Sequence, residues 1–330
     1  MAQLRFRVVA LLTVCVVATV CGLASADAGA QASYPDKPIR LVVPFGPGGG
    51  TDLIARALAQ RLAERLGQPV VVENKPGAGG TVGTDAVAKS RADGYTLLMA
   101  TNATLALAPG LYKTLPYDPL VHLTTIAVVA SGPSVLVVHP SLPVKNFSEF
   151  LSYARAHPGK LNYGSAGNGS MAHVSTAILA RDAGLDVVHV PFKGGAAAVG
   201  ELIAGRLSFM VAGPVETLPQ VQSGALRALA ITTAQRVASM DIAPISAQGV
   251  PGYDVANWFA VCAPAGSPMQ VIERLNREIN AILAQAEVRQ ALERQGVEAR
   301  PMELGTAQSF VTGEVRKWPP LVAASGARAD

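Results

Sequence analysis

Short apolar runs alternate along this chain with stretches whose apolar residues recur at helical spacing. The run at 39–44 predicts a strand. Positions 53, 54, 57, 58, 62 and 66 then lie on one helical face over 51–66, and Gly67 ends that helix as a C-terminal glycine does. A second strand is predicted over 70–73, a helix over 81–90 and a third strand over 95–100. Apolar strands in strand–helix–strand order predict right-handed parallel crossovers within one sheet.

The alternation returns further on. Asn146 and Glu149 form a capping box for a helix reaching 156. A strand over 161–163, a helix ending near 182, a strand over 187–192 and a helix ending near 204 follow, then strands over 207–211 and 227–232. The tail is helical: Ser267 is the predicted cap of a helix over 268–285 with Pro268 in its first turn. A helix over 287–295 stops at Gly296, and a third runs from 306 toward 318, where Pro319-Pro320 is predicted to break or bend it. Two long apolar stretches, 126–139 and 258–263, read as chain crossings between lobes. On that reading lobe one comprises 34–131 plus 255–330, and lobe two 132–254.

Composition narrows the class. Half the residues are hydrophobic and only 15% are charged, which excludes disorder and a coiled coil. Arg5 and Arg7, an apolar run over 8–20 and the exits Ala24-Ser25-Ala26 and Ala30-Gln31-Ala32 read as a secretory leader over 1–26, cut as late as 32. Cleavage lowers the formal charge from +4 to +2, or to +3 if Asp27 leaves too. With no Lys/Arg cluster and no stacking aromatics, nucleic acid is excluded as a partner. Cys15 and Cys21 leave with the leader, and Cys262, inside an apolar run, reads as a small buried hydrophobe.

Candidate chemistry gathers at glycine-rich turns between a strand and a helix: 45–52, 75–81, 164–170 and 192–195. In an open parallel sheet that edge is where ligands bind. Glycine lets the main chain approach a ligand, and helix N-termini offer unpaired N–H groups to an anion. A phosphate loop needs a lysine that neither of the first two turns supplies. A dinucleotide site is a nearer rival through Gly46, Gly48 and Glu73, but Thr51 stands at its third glycine and Asp52 opposes a pyrophosphate. Ser170 lacks the spacing of a nucleophile elbow and reads as a cap or ligand donor, with His173 one turn on. The histidines show no metal-ligand spacing. Asp52 reads as a first-turn acid or a ligand contact, Lys193 as a carboxylate partner or a solvated lysine, and Phe45 as a lid or a core ring.

At these turns the sequence resembles a family. YPDKPIRLVVPFGPGGGTD at 34–52 resembles the opening of the Bug family, the extracytoplasmic binding proteins of tripartite tricarboxylate transporters. ENKPGAGGTVGTDAVAKSRADGYTLLM at 73–99, LNYGSAGNGSMAH at 161–173, HVPFKGG at 189–195 and FAVCAPAGSP at 259–268 are similar to its later motifs, as is the tail with Lys317-Trp318. The resemblance implies an α/β, two-lobed periplasmic-binding-protein fold, a type II Venus flytrap, closing on a small carboxylate held mainly by loop amides and bridging waters. The implied contacts in lobe one are Phe45, Gly48, Gly49, Gly50, Thr51, Asp52, Ala78, Gly79, Gly80 and Thr101. In lobe two they are Ser165, Ala166, Gly167, Asn168, Gly169, Ser170, His173, Lys193, Gly194 and Gly195. It further implies a periplasmic monomer, without cofactor, metal or catalysis, that delivers its ligand to the membrane components of the transporter. A sensor for a signalling receptor and a dinucleotide-dependent enzyme are the alternatives. Ser208, Ala197, Phe192 and Pro319-Pro320 depart from the family pattern, the first and third bearing on ligand preference.

Overall fold

The computed structural model describes residues 34–237 and 240–328; the leader expected over 1–26 or 1–32 lies outside them. Strand β1 (Ile39–Val43) is followed by α1 (Gly50–Leu66), β2 (Val70–Asn74), α2 (Thr81–Ala88) and β3 (Thr96–Thr101). β1 pairs in parallel with both β2 and β3, as two successive crossovers require. Its Ile39, Leu41 and Val43 are buried, as are Ile54, Leu58 and Leu62 of α1, while Val42, on the other face of the strand, joins the core cluster that holds Val87 of α2. Gly67 ends α1 at φ 70°, its N–H returning to Ala63 O.

The chain then makes a π-helical turn, Ala103–Leu107, and a short helix α3 (Ala108–Leu111) before β4 (Leu123–Pro133). Strand β10 (Ala256–Pro264) lies antiparallel between β3 and β4, and the two-residue β11 (Glu298–Ala299) edges the sheet beyond β4. This six-stranded sheet, in the order β11-β4-β10-β3-β1-β2, is the floor of lobe one.

Lobe two repeats the plan with β5 (Val135–Val138), α4 (Phe147–Ala156), β6 (Leu161–Ser165), α5 (Met171–Ala183), β7 (Val187–Pro191), α6 (Gly195–Ile203), β8 (Phe209–Ala212), α7 (Pro214–Gln222) and β9 (Arg227–Ile231). Its five-stranded sheet runs β7-β6-β8-β5-β9. β6 pairs in parallel with β7 and β8, while β5 is antiparallel to β8 and β9. Each sheet is thus parallel where crossovers build it and antiparallel where the chain passes between lobes.

Those passages lie side by side. Ser134, between β4 and β5, exchanges hydrogen bonds with Thr232 after β9. Thr232 in turn exchanges them with Val255 just before β10.

Helices α8 (Met269–Leu283), α9 (Ala286–Arg294) and α10 (Leu304–Ser325) follow β10. Two local expectations are corrected. Ser267 does not cap α8: its hydroxyl donates to Pro264 O at 2.8 Å, and Pro268 occupies the N-cap position. Pro319-Pro320 does not break α10, which continues to Ser325. Proline forfeits a helical hydrogen bond, but buried residues on both sides of the pair, Trp318 and Val322, clamp the helix. Trp318 Nε1 donates to Glu314 Oε2 at 2.8 Å, and Trp258 Nε1 on β10 donates to the same oxygen at 3.0 Å. Asn146 caps α4 as expected, with Glu149 N–H donating to Asn146 Oδ1 at 2.9 Å, while the Glu149 carboxylate accepts from Lys145 N, one residue before the cap, and from Asn146 Nδ2, each at 2.7 Å. Cys262 is buried, and burial pushes its thiol up to about 12. No helix among the described residues is long and apolar enough to cross a membrane.

Candidate functional site

The glycine turns of the two lobes face each other at backbone distance. A Cβ on Gly46 would lie 2.7 Å from Lys193 O, and one on Gly79 would lie 2.4 Å from Asn168 O. Gly79 also holds φ 62°, so a side chain there meets both a strained backbone and the opposing lobe. Tyr112, at the end of α3, donates its hydroxyl to Ala78 O at 2.7 Å and stands beside Gly169 as well.

Two adjoining cavities lie between the lobes, and Phe45 and Ala166 line both. The hinge-side cavity takes Gly49, Gly50, Thr51 and Thr101 from lobe one and Ser170 and Gly195 from lobe two, all expected from sequence. The tip-side cavity takes the expected Ala78, Gly79, Gly80, Gly167, Asn168 and Lys193. Among the expected residues, Gly48, Asp52, Ser165, Gly169, His173 and Gly194 line neither cavity.

Several of these six shape the turns from behind. Asp52, 2% exposed, accepts from Gly48 N, Arg56 Nε and Asn74 Nδ2, each at 2.9 Å. Burial alone raises its carboxyl; the bonds from Arg56, Gly48 and Asn74 outweigh this and hold it below its ordinary value. Asp52 therefore fixes the first glycine turn. Ser165 Oγ accepts from Gly167 N at 3.1 Å and lies 2.6 Å from His189 Nε2. Ser170 caps α5 through His173 N, and Gly169 N–H donates to His173 Nδ1 at 3.1 Å. The His173 ring stacks on His189 with centroids 4.0 Å apart and planes 4° apart. Burial lowers both histidines from 6.5 to about 4, with the neighbouring His173 adding to the effect on His189. The pair is neutral at pH 7 and braces the third turn.

Other residues in the cleft carried no motif. Ser134 and Asn257 form the hinge-side wall, with Asn257 Nδ2 donating to Ser134 Oγ at 2.6 Å. Asn102, the N-cap of the π-helical turn, lines the same cavity and donates to Ala256 O at 2.9 Å. Residues 210–216, the end of β8 and the start of α7, supply the lobe-two floor and include Glu216. They stand at a strand-to-helix turn like the other four, but this one holds a single glycine, Gly213, ahead of Pro214. Among the described residues lining the hinge-side cavity none is cationic, and Glu216 alone is acidic.

Residues 54–327 match the family model described as "Tripartite tricarboxylate transporter family receptor". The chain belongs to this family. BugT of Bordetella pertussis is 38% identical to this receptor-family member over 320 residues, spanning 94% of this chain and 97% of its own length. An R. palustris protein solved with adipate shares 36% identity at a TM-score of 0.86, covering 88% of this chain and 98% of its own. MatC from Rhodopseudomonas palustris, solved with bound malate, shares 32% identity at a TM-score of 0.84, covering 88% of this chain and all of its own. The two-lobed periplasmic-binding-protein fold of this receptor is the one its family resemblance implied.

Proposed function

We propose that this protein is a periplasmic solute-binding protein that captures a small carboxylate between its lobes and delivers it, as a monomer, to the membrane components of a tripartite transporter. The observation that carries the reading is the meeting of glycine turns from both lobes around cavities whose hinge-side part is lined by backbone, hydroxyl and amide groups, apolar side chains and the Glu216 carboxyl, and by no described cation. The receptor family, and relatives solved with adipate and malate, support the same reading. Lobe one would comprise 34–131 and 255–330, and lobe two 132–254, with closure about the Ser134–Thr232–Val255 contacts.

Capture needs no catalytic step. The open lobes expose the turns; a carboxylate settles on the amides of one lobe, and closure adds those of the other. Gly49, Gly50, Thr51, Thr101, Ser170 and Gly195 would contact the ligand on the hinge side. Ala78, Gly79, Gly80, Gly167, Asn168 and Lys193 would close the tip side. Gly48, Asp52, Ser165, Gly169, His173 and Gly194 would hold those residues in place, and Phe45 and Ala166 would cover the ligand. Each charge-assisted bond contributes about 1.5–3 kcal/mol, offset by desolvation and ordering. A handful therefore supports micromolar binding, about −8 kcal/mol.

A thermal-shift panel of mono-, di- and tricarboxylates beside dinucleotides tests the reading. A carboxylate at about 100 times its dissociation constant adds about 2.7 kcal/mol of stability. Stabilisation by dinucleotides alone would overturn it.

A further inference from the structure

We propose that Glu216 is a specificity residue, and that the ligand of this receptor pairs its carboxylate with a cationic N–H donor, as an amino acid does. The inference rests on the carboxylate reading of the cleft and adds the chemistry of the ligand's second group.

Glu216 stands in the first turn of α7 and lines the hinge-side cavity. Its carboxylate is ringed by glycines of both lobes. A Cβ at Gly195 would lie 2.3 Å from Oε2, and one at Gly49, across the cleft, 3.7 Å from the same atom. A Cβ at Gly213 would lie 3.7 Å from Oε1. The missing side chain at Gly195 is what lets this carboxylate lie against the start of α6. Oε2 is buried, yet no described residue gives it a hydrogen bond. Thr101 Oγ1, on the opposite wall of the same cavity, is likewise buried and without a partner. Unmet buried polar atoms are costly, and two of them on residues that line one cavity point to what should fill it. An ionised carboxylate only accepts, and a hydroxyl accepts as well. An ammonium group offers three N–H donors and a charge, enough to satisfy both.

A plain second carboxylate does the reverse. It brings like charge to an acid with no cation among the described residues lining its cavity, and it fits only if Glu216 holds a proton. Burial raises Glu216 from 4.5 to about 7, against the pull of the Gly213 and Gly50 amides. The two ligand classes therefore give opposite pH dependences. Among the described residues lining the cavity no other side chain is charged, so Glu216 sets that dependence.

Calorimetric titration of the purified protein decides the matter. The probes are the α-amino acids and γ-aminobutyrate, each beside the same acid without its amine, such as glutamate beside glutarate. At least one aminocarboxylate is expected to bind roughly ten- to hundredfold more tightly than its deaminated partner, the size of a hydrogen bond to a charged group. Glu216→Gln should erase that preference while the deaminated acid keeps or gains affinity. In the unsubstituted protein, aminocarboxylate affinity should fall as pH drops from 8 to 6; this arm requires no variant to fold. Deaminated acids that bind at pH 8 as tightly as any aminocarboxylate would overturn the role of Glu216 and leave carboxylate capture standing. Binding by no acid of either kind would overturn both.

Discussion

Thr232 and Ser134 are bonded twice: Ser134 N–H donates to Thr232 Oγ1 at 2.7 Å, and Thr232 N–H donates to Ser134 O at 3.0 Å. The same Thr232 hydroxyl donates to Val255 O at 2.6 Å. One buried side chain thereby ties both chain crossings together where the lobes must swing. Thr232→Val keeps the shape but orphans Ser134 N–H and Val255 O. A loss of about 1–3 kcal/mol is expected, read as a lower urea midpoint, whereas Thr232→Ser should keep most of the stability. Equal stability of the valine variant would show that these bonds do not hold the crossings.

Closure makes its own demand on Gly46. Its Cβ would meet Lys193 O of the other lobe at 2.7 Å, and nothing else nearer than 3.8 Å. Gly46→Ala should leave the separate lobes intact and weaken carboxylate binding at least about tenfold, the cost of roughly 1.4 kcal/mol of resisted closure. Calorimetry beside a urea melt separates the two effects. Unchanged affinity would mean that the lobes do not approach this closely around ligand.

Much of this was legible in sequence. The turns at 45–52, 75–81, 164–170 and 192–195 each combine an apolar strand, a glycine cluster and a helix start, so local rules alone locate the cleft edge. Glu216 was not found, although it follows the same rule: β8 ends at Ala212, Gly213 turns the chain, and Pro214 opens α7. One glycine is a weaker signal than three, and the residues that ring Glu216 come from remote parts of the chain. The prolines of α10 misled for a related reason. Proline's local cost is visible in sequence, whereas the packing of Pro319 against Gly110, where a Cβ would lie 2.8 Å from Pro319 Cα, is not.

The stacked His173–His189 pair carries a pH dependence. Unfolded histidines take up protons below about 6.5, but these two, held down to about 4 by burial, stay neutral until well below that. Their contribution to stability is full above pH 6.5 and is lost as pH falls toward 4. Imidazole 15N shifts should show both rings neutral at pH 5.5, with the thermal midpoint falling as pH drops from 6.5 to 4. Titration of either ring near 6.5 would contradict the buried, unprotonated stack.

Glu216 gives the opposite sign. The folded protein keeps this proton up to about pH 7, while the unfolded chain releases it near 4.5. Its contribution is therefore greatest below pH 4.5 and declines through pH 7. The stability of Glu216→Gln relative to the unsubstituted protein should rise across that window, by up to ~3 kcal/mol, and level off above it. Taking the difference cancels the histidines. A flat difference would mean that the acid is solvated in the free protein.

The central claim is that main-chain amides from both lobes seize one carboxylate. A crystal structure with the best-stabilising acid from the thermal-shift panel tests it most directly. The ligand carboxylate oxygens are expected about 2.7–3.1 Å from backbone nitrogens of the glycine turns on both sides of the hinge-side cavity. A carboxylate held by the Lys193 ammonium, or lodged outside the cleft, would contradict it.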